Sequence, residues 1–112
     1  MKYKKEWIAA LRSGKYKQGR YYLNSDGCHC CLGVLCEVAI QNGEEIYSEN
    51  DLEPKAFSRL GEEDVDESAL TDGICELLEF PVFLHGVLVD MNDTELRSFD
   101  DIADYLEKSN EL

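Results

Sequence analysis

The sequence predicts a single helix-rich α+β domain, residues 1–112, with a short antiparallel β-hairpin or small sheet. Three observations carry that expectation. The chain has 112 residues, enough for one modest core. Apolar residues recur at helical spacing in several short stretches rather than in one long run. Asn24-Ser25-Asp26-Gly27 has the composition of a tight turn and lies between two short apolar segments.

In chain order, Tyr3, Trp7, Ala10 and Leu11 predict an amphipathic helix that Gly14 stops. Tyr21 to Leu23 and Cys28 to Cys31 are the arms of the hairpin. Leu32, Leu35, Cys36, Ala39 and Ile40 follow the i, i+3, i+4, i+7, i+8 pattern of a buried helix stripe, ended by Asn42-Gly43. Glu44 to Asp51 is polar and reads as a loop. Pro54 suits the first position of a short helix carrying Ala56, Phe57 and Leu60 and closed by Gly61. Glu62 to Glu67 is an acidic, exposed loop. Ile74, Leu77 and Leu78 predict a third short helix, limited by Pro81. Val82 to Met91 is an apolar run that fits a strand or a buried helix equally. Ser98-Phe99-Asp100-Asp101 resembles a capping box and starts a helix with Phe99, Ile102, Ala103 and Leu106 on one face.

The net charge is −13 and unevenly spread. Residues 1–42 hold seven Lys/Arg and three Asp/Glu, a net of +4, whereas residues 43–112 hold four and 21, a net of −17. Two electrostatic faces are expected. The acidic half argues against direct nucleic-acid binding, which needs clustered positive charge. No apolar run approaches the ~20 residues of a membrane span, and Met1-Lys2-Tyr3-Lys4-Lys5-Glu6 has no signal-peptide pattern, so a cytosolic location is expected. The five cysteines, at 28, 30, 31, 36 and 75, are odd in number and crowded, which counts against a disulfide framework.

The stretch "SGKYKQGRYYL", residues 13–23, carries the most suggestive chemistry. Gly14 and Gly19 have P-loop spacing, but Arg20 and Tyr21 stand where a P-loop needs Lys and Ser/Thr. The segment also leaves a helix and enters a strand, the reverse of a P-loop. What remains is a glycine-flexed turn with cations at Lys15, Lys17 and Arg20 and aromatic rings at Tyr16 and Tyr22. Such residues can pair with phosphates and stack on a base, so they are the candidate site for a nucleotide-like anion. The plainer alternative is a basic turn whose tyrosines cover the edge of the core.

"CHCC" is a weaker lead. Cys28-x-Cys30 is tighter than zinc-ligand pairs usually are, so zinc would need His29 or Cys75 to fold in. Cys36 sits on the buried stripe, and a Cys–His nucleophile lacks a third, orienting group. His85 lies in an apolar run and reads as a core or rim residue. No metal, cofactor or catalytic residue is expected. The acidic half offers a second binding mode: Glu62, Glu63, Asp64, Asp66 and Glu67 form the densest patch and could imitate a phosphate backbone toward a basic protein. A solvated acidic loop is the plainer reading.

"ALRSGKYKQGRYYL", "DG" and "CCLGVLCEV", followed by "LVDMNDTELRSFDDIADYLEK", resemble a family of small bacteriophage and prophage proteins. The correspondence is close over residues 9–39, fair over 88–108 and loose through the middle. In the second stretch it includes Leu88, Asn92, Asp93, Ser98, Phe99, Ile102, Ala103 and Asp104. The chain departs from the family at Cys28-His29, where an aromatic usually precedes the paired cysteines. The resemblance supplies no catalytic residues. It implies a phage-encoded accessory protein in the bacterial cytosol, acting against host defence. The expected function is therefore non-enzymatic sequestration of a nucleotide-like signal at the basic turn. The alternative is an acidic inhibitor of a basic host protein. A homo-oligomer is a further way for so short a chain to build a pocket.

Overall fold

The computed structural model describes residues 1–48 and 53–109. Five α-helices are formed: α1 Lys4–Arg12, α2 Cys31–Gln41, α3 Asp72–Leu78, α4 Val82–Val89 and α5 Phe99–Lys108. A π-helical turn, Asp90–Thr94, follows α4 directly. Five two-residue strands complete the fold: β1 Lys17–Gln18, β2 Asn24–Ser25, β3 Cys28–His29, β4 Tyr47–Ser48 and β5 Phe57–Ser58. The helix-rich α+β class is as expected.

The core lies where α1, α2 and α5 pack together. Trp7, Leu32, Leu35, Ile102 and Leu106 are fully buried there. The Trp7 indole N–H donates to the Cys31 carbonyl at 2.9 Å, so its polar atom is satisfied inside the core. Helix α2 is buried on more faces than its stripe predicts: Val34 and Val38 are inside as well, while Ile40 is exposed.

The expected hairpin forms, but tighter and shorter. β2 and β3 pair antiparallel, Ser25 opposite Cys28. Asp26 and Gly27 both have positive φ, 52° and 79°, the requirement of a two-residue type I′ turn. Tyr21 and Tyr22 stay outside the strands, and Cys31 already belongs to α2. β1 joins β3 from the other side in parallel, giving a three-stranded mixed sheet in the order β1-β3-β2. Gly33, in the first turn of α2, lets that helix sit on the hairpin. A Cβ there would overlap the Leu23 carbonyl.

The helix expected from Pro54 to Gly61 is not formed. Phe57–Ser58 is β5 instead, paired antiparallel with β4 inside the expected Glu44–Asp51 loop, whose residues 49–51 lie outside the described residues. Phe57 is buried while Leu60 is 83% exposed, so the segment has no continuous helical stripe. Val82 to Met91 resolves as a helix running into the π-turn, with Leu84 and Leu88 buried one turn apart. The Ser98 hydroxyl accepts the Asp101 N–H at 3.1 Å and caps α5.

Candidate functional site

Residues 15–22 are held by the other end of the chain. Asn92, in the π-turn, is 1% exposed. Its Oδ1 accepts from Gln18 Nε2 at 2.9 Å and from the Cys31 N–H at 3.3 Å. Its Nδ2 donates to the Gly19 carbonyl at 3.0 Å and to Asp93 Oδ1 at 2.7 Å. Asp93 Oδ1 also accepts the Tyr21 N–H, fixing an aromatic residue at φ 73°. Gln18 completes the clamp: Nε2 donates to the Arg97 carbonyl at 2.8 Å, and Oε1 accepts the Phe99 N–H at 3.1 Å. The wide turn makes this geometry, because one extra residue brings Met91 and Asn92 both inward.

The proposed cation and ring residues are dispersed around this clamp. Lys15 and Lys17 are exposed, and the Lys15 ammonium lies 5.4 Å from the centre of the Tyr16 ring. Tyr16 packs edge-on against His29 at 5.1 Å, and its hydroxyl accepts from Gln41. Arg20 is half-buried, and its Nε has no hydrogen-bond partner among the described residues. Tyr22 joins Tyr21 in the wall of a groove that none of Lys15, Lys17 and Arg20 lines.

That groove, about 490 Å³, is bounded by Tyr21, Tyr22, Ala69, His85 and the C-terminal part of α4, with Asp90 and Asp93 at its edge. A second, about 580 Å³, runs between α3 and the start of α4 over Leu70, Phe80 and Val82, with Asp72, Glu76 and Glu79 at its edge. Ala69 and His85 line both, so the two grooves adjoin at these residues, and together they are called the α4 trough. Among the described residues no Lys or Arg lines either wall. α4 leaves Val82, which lines the second groove, 88% exposed, and the next residue, Phe83, which lines neither, 49% exposed. His85 is not a free base: its Nε2 accepts the Leu70 N–H at 3.3 Å, and burial pushes its pKa below the usual imidazole value.

Much of the acidic loop is engaged internally. Burial alone would raise the Glu62 carboxyl, but the Arg59 N–H, the Thr71 hydroxyl and the Gly73 N–H together hold it below its ordinary value. Asp66 is held low by the Ser68 hydroxyl and N–H. Glu63, Asp64 and Glu67 are exposed. Burial pushes the Cys30 thiol up to about 11 and raises Cys31 and Cys36 well above the ordinary thiol value. Cys75 is also raised by burial, with Asp72 and Glu62 adding to it. No group of three metal-ligating side chains converges among the described residues, and no described helix is long and apolar enough to cross a membrane.

Fold and site together define a small α+β domain whose N- and C-terminal segments are stitched by one buried asparagine. The chain belongs to the family described as "Domain of unknown function (DUF8296)", whose model matches residues 1–110. No curated protein and no solved structure matches it.

Gln18 and the π-turn pair Asn92-Asp93 are the residues that reading by chemistry missed. Gln18 sits inside the stretch singled out for its cations and rings, but an uncharged amide was not weighed as a partner. The uncovered face of α4 has no signal in the sequence, because the apolar run from Val82 to Met91 fits a strand or a buried helix equally.

Proposed function

We propose that this chain is a phage-encoded, non-enzymatic accessory protein that counters host defence by docking on a basic host protein. The observation that carries this reading is the α4 trough, an apolar floor edged by five carboxylates with no cation in its walls. Apolar contact supplies affinity in such a surface, and the carboxylates steer a basic partner and select it. The acidic loop at Glu63, Asp64 and Glu67 extends the negative field beyond the trough.

The test is capture of host proteins by the immobilised chain over a salt series. Binding should fall steeply as salt rises, and should fall again when Asp72, Glu76 and Glu79 are changed together to Asn and Gln. Capture that ignores both salt and these substitutions contradicts the reading.

One observation favours a second reading, sequestration of a nucleotide-like anion at the turn. Arg20 Nε is buried without a partner among the described residues, and a phosphate oxygen would satisfy it. Under that reading Lys17→Ala with Arg20→Ala abolishes ligand retention. Under the docking reading the same pair leaves host-protein capture intact.

A further inference from the structure

We propose that the segment seated in the α4 trough is a basic amphipathic α-helix of the partner. This rests on the docking reading above and narrows it to one class of occupant. Three features of the trough lead to it.

The first is its chemistry. Asp72, Glu76 and Glu79 stand at one end and Asp90 and Asp93 at the other, over a floor that includes Leu70, Phe80 and Val82. The complement is a surface with an apolar stripe and Lys or Arg beside it. The second is the absence of a strand edge: no residue of any described strand lines either groove. An extended peptide would find no ladder to continue, whereas a helix arrives with its backbone hydrogen bonds already made.

The third is Gly86. It lies in the interior of α4 and is exposed, and a Cβ built on it would meet no atom within 4 Å. A helix-interior glycine is destabilising relative to alanine, and nothing in this fold requires one there. Val82 and Phe83 lie four and three residues before Gly86 and each neighbours it on the helix surface, so the glycine makes a dip beside two exposed apolar side chains. A dip of that kind admits a knob from a crossing helix.

The probe is a synthetic peptide of about 18 residues, long enough for several helical turns. It is built from Leu and Lys with leucines at i, i+3, i+4 and i+7. The control has the same composition with leucines scattered around the helix, so net charge is matched. Calorimetry at about 0.15 M salt, where long-range attraction is largely screened, should give the amphipathic peptide at least about tenfold tighter binding.

Gly86→Leu should fill the dip and weaken binding about tenfold, as should Phe83→Ser. Circular dichroism and thermal melting report whether each variant keeps its fold. Gly86→Ala keeps the test valid if the leucine variant does not fold: it should raise the melting temperature and weaken binding only slightly.

Equal affinity for the scattered peptide overturns the proposal, as does a folded Gly86→Leu variant that binds like the parent. A chain that is dimeric alone and becomes monomeric as Gly86→Leu also overturns it, by making a second copy the occupant. If the peptide fails while salt-sensitive host capture persists, the helix is wrong and the docking reading stands. If both fail, the docking reading falls too.

Discussion

The turn at residues 15–22 and the α4 face invert each other. The turn carries charged and aromatic groups, and the fold braces the residues among them: Gln18, Gly19 and the Tyr21 N–H are tied to Asn92 and Asp93, and Tyr16 rests on His29, while Lys15 and Lys17 stay exposed. The α4 face is built from plain apolar residues, and the fold leaves Val82, Phe83 and Gly86 uncovered. Residue type alone drew attention to the first region. What marks the second is what folding has left unused. A functional surface is better sought among side chains that the fold does not explain.

This contrast can be broken most forcefully in the braced region. Gly33→Ala drives a methyl into the Leu23 carbonyl, and backbone must move. A loss of about 3 kcal/mol or more is expected in denaturant unfolding, with no folded protein at the extreme. Asn92→Ala comes next. It leaves the Cys31 N–H and the Gly19 carbonyl without their partner and takes from Gln18 Nε2 one of its two acceptors, so about 2–3 kcal/mol should be lost by the same measurement. Ser98→Ala should remove only about 1 kcal/mol, the worth of one helix cap. On the α4 face the sign reverses: Gly86→Ala should stabilise by up to about 1 kcal/mol. A destabilised Gly86→Ala would mean that α4 is constrained by the fold after all.

The buried thiols and the acidic loop should answer oppositely to pH. Cys30, Cys31 and Cys36 have folded pKa values above the ordinary 9.0. Their contribution is complete below pH 9 and is lost above it, because the unfolded chain releases those protons first. Glu62 and Asp66 are held below their ordinary 4.5 and 3.8, so their contribution is present above those values and lost as pH falls through the folded ones. His85, held below 6.5, adds to the acid loss, because the unfolded chain takes up its proton first. Melting temperature against pH should therefore fall at both ends. Cys36→Ala should flatten only the alkaline limb, and Glu62→Gln only the acid one.

Periodicity and turn chemistry made α1, α2, α3, α5 and the Asp26-Gly27 hairpin legible, because each is set by local rules. The segment after Pro54 was not, because Phe57 gains its burial from a strand pairing with Tyr47–Ser48 that no local pattern announces. The run from Val82 was ambiguous for a related reason. A helix apolar on every side has no period, and the sequence does not say that one of those sides will be left open. At the turn, residue types announced a ligand site. The decisive partner, Asn92, lies 74 residues from Gln18, beyond the reach of spacing arguments.

The central claim is that the α4 face binds and the basic turn braces. Native mass spectrometry of the chain purified from phage-infected cells, beside a denatured sample, tests it most directly. The parent protein should retain a basic polypeptide, Lys17→Ala with Arg20→Ala should retain it equally, and Phe83→Ser should lose it. A small mass released on denaturation, kept by Phe83→Ser and lost with Lys17 and Arg20, would contradict the claim and return the site to the turn.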